Sequence, residues 1–183
     1  MKRPRGSLIG ASLLCALLAA VTGCQDQEAK AELEKFRAAA AVQEQNKEIV
    51  KQLMAGLNNR DVNYKDLYAP NAALYFPSAA SKPITPDEDL ESSKNNWRAF
   101  PDIHWTIEGI AAEGDMVWVR FIAKGTQKEA WRGIPSRGRA VESSGLFMVR
   151  IENGKVIEQR EDFDLLGWMT QMGMELKLAK ANK

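Results

Sequence analysis

The stretch that decides the fold is GTQKEAWRGIPSRGR, which runs from Gly125 to Arg139. It is a glycine-punctuated loop, and an apolar alternating segment from Val141 to Ile151 follows it. An Asn153-Gly154 pair then predicts a tight hairpin, because a type I′ turn needs two residues at positive φ. A last segment, Val156 to Asp164, completes the pattern of strand, hairpin and strand. This order predicts a curved antiparallel sheet with a loop at its rim.

Two segments upstream alternate between apolar and polar residues, as strands with one buried face do. The first runs from Ile103 to Glu108 and the second from Val117 to Ile122, with a Glu-Gly-Asp turn between them. Strand alternation turns Trp118 and Arg120 away from the core. An exposed tryptophan in a strand row predicts a second subunit against the outer face, so we expect a homodimer.

Helices are predicted on either side of a short strand, Ala72 to Phe76. An amphipathic segment from Val42 ends near Asn58-Asn59, residues that tolerate left-handed backbone. Thr85-Pro86 begins a second helix, with a capping residue followed by proline and acids, and it reaches about Ala99. The predicted class is therefore α+β, a strongly curved antiparallel sheet whose N-terminal helices close a conical cavity.

The composition of the chain argues against several classes of function. The 183 residues carry a formal net charge of +1, which argues against a nucleic-acid binder. His104 is the one histidine of the sequence, so a metal site built from several histidines is impossible, and we predict no metal. Cys15 and Cys24 are the two cysteines, and both precede the predicted domain. That domain therefore has no disulfide and no thiolate nucleophile.

The N-terminal segment has the features of a targeting signal. A basic segment is followed by an apolar one from Leu8 to Val21, shorter than the roughly 20 residues that a membrane-spanning helix needs. The Val-Thr-Gly-Cys sequence ending at Cys24 resembles the bacterial lipobox, in which the cysteine becomes lipidated. The alternative is an ordinary secretory signal with a chance cysteine. We predict a lipoprotein of the bacterial cell envelope, anchored to the membrane by lipid on Cys24.

The chain is predicted to have four parts. Residues 1–23 are the lipoprotein signal peptide, and residues 24–41 are the lipidated cysteine with a polar helical tether. Residues 42–174 form the cavity domain, and residues 175–183 are a flexible tail.

Short segments with conserved spacing relate the domain to a known family. They are Phe100–His104, Ala112–Asp115, Gly125-Thr126, Trp131–Pro135, Gly138-Arg139, Arg150, Gly154-Lys155, Glu158, Asp164–Gly167 and Gln171–Gly173. Through them, the chain from Asn46 to Gly173 resembles the SnoaL-like polyketide cyclases, also called ester cyclases. That family has the nuclear transport factor two-like cone fold.

The resemblance implies ring closure by intramolecular aldol condensation, without cofactor or metal. An acid/base pair would take a proton α to a carbonyl. Two positions depart from the family pattern. Gln127 stands where the cyclases have a histidine, and a Gln amide cannot accept a proton near neutral pH. Where they have an aspartate, this chain has only Glu142, on the strand face opposite Val141. The resemblance therefore implies a pocket more strongly than cyclase chemistry.

Two polar residues are the candidate catalytic groups. Gln127 points into the cavity or lies exposed at its rim, and as an inward residue it would hold an enolate oxygen. Asp164 is a general base with a raised pKa, or the N-cap of a short helix from Leu165 to Met172. His104 is more simply structural. The ligand-binding candidates are Trp97, Phe121, Trp131, Ser143 and Phe147.

Three arginines give the rim loop a basic character, Arg132, Arg137 and Arg139. Exposure to solvent is one explanation for these basic side chains. The more specific alternative is that they bind an anionic ligand or lipid headgroups. Two functions remain open. One is a lipid-anchored module that binds a small hydrophobic molecule. The other is a cofactor-free enzyme that abstracts a proton α to a carbonyl.

Overall fold

The computed structural model describes residues 9–77, 82–175 and 177, with side chains from residue 27 onward. The predicted basic N-terminal segment, the side chain of Cys24 and most of the predicted tail lie outside these ranges. The chain divides into two compact units, Met1–Val42 and Gln43–Lys183. Within the described ranges, no helix combines the length and the apolar character needed to cross a bilayer.

Helices precede and follow a five-stranded sheet, and one helix lies between its first two strands in the sequence. In chain order the elements are α1 (Ile9–Asn59), a 3₁₀ helix (Val62–Leu67), β1 (Tyr68–Tyr75), α2 (Pro86–Ala99), β2 (His104–Glu113), β3 (Met116–Thr126), β4 (Ala140–Glu152), β5 (Lys155–Phe163) and α3 (Leu165–Gln171). This arrangement confirms the predicted α+β class.

The sheet has the strand order β1-β5-β4-β3-β2. Strands β2 to β5 pair antiparallel, as predicted, whereas β1 runs parallel to β5. The sheet is therefore mixed and not antiparallel throughout. A parallel pair needs a long crossover, and almost the whole domain lies between these two strands in sequence. Register shifts at Ile107/Gly109 and at Arg150/Ile151 mark bulges, which bend and twist a sheet.

Local sequence signals account for the element boundaries. Asn153 and Gly154 have φ of 50° and 74°, as the predicted two-residue hairpin requires. Thr85 caps α2, and its hydroxyl accepts from the backbone N–H of Glu88 while the Glu88 side chain accepts from the backbone N–H of Thr85. This reciprocal pair is a capping box, and it fixes the start of α2.

The buried face of the sheet packs against the helices of the second unit. Val50, Leu53 and Met54 of α1 are buried in the core. Gly145 of β4 leaves room for an aromatic ring, because a Cβ there would lie 2.4 Å from Cζ of Phe121. The missing side chain therefore lets the Phe121 ring lie against the backbone of β4.

The other face of the sheet carries the outward residues that alternation predicted. Trp118 is 39% exposed, and Leu146 is 56% exposed. Ion pairs cross the same face, with Arg120 Nε 2.7 Å from Glu108 Oε2. Such pairs between exposed side chains contribute little stability each.

Candidate functional site

A cavity of about 380 Å³ lies between the concave face of the sheet and helices α2 and α3. This volume is within the range of small-molecule sites in proteins. Most of its wall is apolar or aromatic and includes Leu74, Ile103, Phe121, Trp131, Phe163 and Trp168.

The aromatic part of the wall is held in place by edge-to-face contacts. The ring centroid of Phe100 lies 5.9 Å from that of Trp131 and 5.2 Å from that of Trp168. The indole N–H of Trp131 donates to Asn96 Oδ1 at 2.8 Å, which ties the rim loop to α2. The cavity is therefore formed by fixed side chains, and a ligand would not have to order them.

Asp89 is an acidic residue of this wall that the sequence analysis did not single out. It is 8% exposed, and Tyr64 Oη donates to its Oδ2 at 2.7 Å. Ser93 Oγ lies 3.0 Å from the same phenolic oxygen. Burial raises the pKa of Asp89 to about 6, and the hydrogen bond from Tyr64 opposes that shift.

Glu161 is the second acidic residue of the wall. Burial raises the pKa of Glu161 to about 8, and the charges of Asp89 and Asp162 raise it further in the same direction. Gln159 Nε2 lies 3.4 Å from Glu161 Oε2, and Tyr68 Oη donates to Gln159 Oε1 at 2.6 Å. Glu161 therefore carries its proton near neutral pH and can donate a hydrogen bond into the cavity.

Sequence periodicity contained a signal for both acids. Asp89 lies on the buried stripe of α2 that also contains Leu90, Ser93 and Trp97, at helical spacing. Glu161 precedes Phe163 by two residues, so strand alternation puts both on the same face. Three acids stand close together near the end of β5, Glu161, Asp162 and Asp164. Strand alternation turns Glu161 to the face opposite Asp162.

The structure brings part of the predicted ligand-binding set to the cavity. Phe121 and Trp131 line it. Phe147 lines a small adjoining pocket that shares Phe121 and Glu161 with the main cavity. Trp97 does not line either pocket. Its indole N–H donates to the carbonyl of Leu57 at 3.1 Å.

Ser143 is also outside the walls of both pockets. Its hydroxyl lies 3.4 Å from the backbone carbonyl oxygen of Asp164. This contact ties β4 to the start of α3. We therefore assign the hydroxyl to local packing in the fold and no longer to ligand contact.

The two predicted catalytic groups do not meet at the cavity either. Asp164 caps α3, and its Oδ1 accepts from the backbone N–H of Gly167 at 2.7 Å. Gln127 is fully buried, with its Nε2 donating to the carbonyl of Ile134 at 3.0 Å. Neither lines the cavity. Helix capping accounts for Asp164, and Gln127 closes the rim loop through its Nε2, while its Oε1 has no hydrogen-bond partner among the described residues. The carboxyl groups of raised pKa in the cavity wall are those of Asp89 and Glu161.

An α+β fold around a largely apolar cavity, with two carboxyl groups of raised pKa in its wall, defines a small-molecule cavity protein. The family model for SnoaL-like polyketide cyclase matches residues 47–172. The chain therefore belongs to the SnoaL-like polyketide cyclase family, as its sequence motifs indicated. Comparison of the chain with curated proteins gives no match.

Solved structures are similar to the same part of the chain. IdmH of Streptomyces antibioticus, a candidate polyketide cyclase, is 26% identical, with a TM-score of 0.63 over 70% of this chain and 99% of that one. A candidate SnoaL-like polyketide cyclase from Jannaschia sp. CCS1 is 24% identical, with a TM-score of 0.65 over 73% and 95%. AclR of Streptomyces galilaeus, a candidate hydroxylase, is 20% identical, with a TM-score of 0.65 over 72% and 97%. The last two similarities show the fold alone.

Proposed function

We propose that the cavity domain binds a small, largely apolar molecule that carries a carbonyl group. The observation behind this proposal is the position of the Glu161 carboxyl group in the wall of a largely apolar cavity. With a pKa raised to about 8, this group is expected to be protonated near neutral pH. A carbonyl oxygen accepts a hydrogen bond from such a donor without bringing another charge into a low-dielectric site. An apolar body would replace water along Phe121, Trp131 and Trp168.

Titration of the purified chain with 2-decanone tests this function, because Trp131 and Trp168 in the wall report on occupancy through their fluorescence. We expect a saturable change. Ala123→Phe would fill the cavity from β3 and should lower the affinity at least about tenfold, while Ala111→Phe, at an exposed position of β2, should leave it unchanged. No saturable change in the wild type would contradict the proposal.

A second candidate function is proton abstraction α to the carbonyl of the bound molecule. It is favoured by the different environments of the two carboxyl groups, since Asp89 with a pKa of about 6 is ionised at a pH where Glu161 is still protonated. In this reaction Asp89 takes the proton from the α carbon. Glu161 donates its hydrogen bond to the oxygen, on which the negative charge of the enolate develops.

Membrane attachment through Cys24 is a further part of the proposed function, supported by the lipobox-like sequence that ends there. We expect Cys24→Ser to abolish lipid attachment, measured by the intact mass of the mature protein and by its membrane fractionation. Cys15→Ser is the matched control and should change neither. A wild-type protein without lipid in its bacterial host would contradict the anchor.

A homodimer through the outer face of the sheet remains a proposal, supported by the exposure of Trp118 and Leu146. Sedimentation at micromolar concentration measures it, and Trp118→Glu should shift the dimer to monomer. A wild-type monomer would contradict it.

A further inference from the structure

The mouth of the cavity carries cationic side chains. Arg132 and Lys82 line the cavity and are both exposed, whereas Asp89 in the same wall is buried. The guanidinium of Arg132 lies 4.8 Å from the ring centroid of Trp131, another residue of the wall. The cation–π contact holds the guanidinium over the entrance.

Arg132 occupies a backbone conformation that an arginine rarely adopts. It has φ of 47° and Gly133 has φ of 80°, between Trp131 and Ile134, whose backbone groups exchange hydrogen bonds at 3.0 and 2.8 Å. A two-residue turn of this kind favours Asn-Gly. The same chain has that pair at Asn153-Gly154, with φ of 50° and 74°. The Arg132 side chain is thus present at a position where local backbone energetics favours another residue, which is typical of functional sites.

Within the described ranges, no acidic side chain neutralises the charge of Arg132. Among the described side chains, no carboxylate forms an ion pair with it. Glu88, the exposed acid of the wall, accepts hydrogen bonds from the backbone N–H and the hydroxyl of Thr85 and belongs to the capping box. Partial burial lowers the pKa of Arg132, although a guanidinium stays charged at physiological pH. Among the described residues that line the cavity, the exposed charged side chains are therefore two cations and one acid, and that acid already accepts hydrogen bonds from Thr85.

We propose that the molecule bound in the cavity is an amphipathic acid, whose carboxylate lies at the mouth against Arg132, with Lys82 nearby. Its apolar body fills the aromatic cavity, and its carbonyl oxygen accepts from Glu161 inside. A planar guanidinium binds a carboxylate with two parallel hydrogen bonds, which fixes the orientation of the molecule. This inference rests on the proposed function and adds the second polar end of the ligand.

The affinities of 4-oxodecanoate and of its methyl ester test the inference, because the two differ in the charge at one end. We expect the wild-type chain to bind the acid about ten to a hundred times more tightly than the ester. Arg132→Asn should lower that preference to about threefold or less, the remainder coming from Lys82, and should lower the affinity for the acid much more than that for the ester. The same substitution should raise Tm by about 3 °C, because it places Asn-Gly in the turn.

Arg60→Asn is the matched control, since Arg60 also has positive φ, at 55°, and does not line the cavity. It removes the same charge and should not change either affinity. Equal wild-type affinities for the acid and the ester would overturn the inference while the proposed function stands. An equal loss for both in Arg132→Asn would overturn it too, because the residue would then only shape the loop.

Two further results would count against the inference. If neither compound binds, the proposed function fails and the inference fails with it. If Arg132→Asn changes only the attachment of the chain to phosphatidylglycerol vesicles, the mouth binds a membrane surface and the inference is wrong.

Discussion

Replacing Glu161 with glutamine is expected to stabilise the protein above pH 7 and to have little effect near pH 4. The pKa of Glu161 is about 8 in the folded protein against an ordinary value of 4.5. Between these values the folded state keeps a proton that the unfolded state has lost, so the free energy of unfolding falls as the pH rises. By pH 8 the loss amounts to roughly 2–4 kcal/mol.

Glutamine cannot ionise, so Glu161→Gln should remove that decline. The measurement is chemical denaturation between pH 4 and pH 9. Asp89, with a pKa of about 6 against 3.8, leaves the variant with a residual slope in the lower part of this range. Glu152→Gln, at an exposed position beside the β4–β5 turn, is the matched control and should retain the full decline. Parallel curves for wild type and Glu161→Gln would show that Glu161 is not buried as described.

The same substitution tests whether the affinity for 2-decanone depends on the protonation state of Glu161. The affinity of the wild type for 2-decanone should fall as the pH rises through 8, because an ionised Glu161 no longer donates. The Gln amide is a donor at every pH, so the affinity of Glu161→Gln should be nearly independent of pH. A wild-type affinity that does not change across this range would remove Glu161 from the site.

Asp89→Asn is the second substitution with a large expected effect, here on the rate of α-proton exchange. Its result tests whether the domain is an enzyme. If Asp89 is the base, wild-type protein should catalyse the exchange of α protons of 2-decanone with deuterium in D₂O, followed by NMR. Asp89→Asn should lower this rate by at least about 10²-fold, which is the usual contribution of a general base. The affinity for 2-decanone should remain, because Asn still accepts from Tyr64.

Asp87→Asn is the control for Asp89, since Asp87 is exposed in the first turn of the same helix. It should exchange α protons at the wild-type rate. Wild-type protein that binds 2-decanone without accelerating the exchange would rule out this reaction for the ketone and favour the binding module. Equal rates in Asp89→Asn and the wild type would assign the reaction to another group.

Local signals in the sequence determined most of the elements. The Asn153-Gly154 pair specifies its hairpin because it supplies two residues that tolerate positive φ. The Thr85 to Glu88 segment specifies the start of α2, because the caps of a helix depend on residues three positions apart. Alternation specified the buried face of β4, from Val141 to Ile151. The family motifs then implied the cavity that these elements enclose.

Tertiary structure alone decided which polar groups face the cavity. The sequence left two roles open for Asp164, a general base or a helix N-cap. In the structure its carboxylate accepts from the backbone N–H of Gly167 and caps α3. Asp89 and Glu161 come from elements far apart in the chain. Periodicity could indicate the face on which each lies, but no local pattern could bring the two together. Burial raises the pKa of both carboxyl groups, and the charge of Asp89 raises that of Glu161 further, so both shifts arise only in the folded protein. Secondary structure follows from neighbouring residues, whereas the chemistry of a site depends on distances between distant ones.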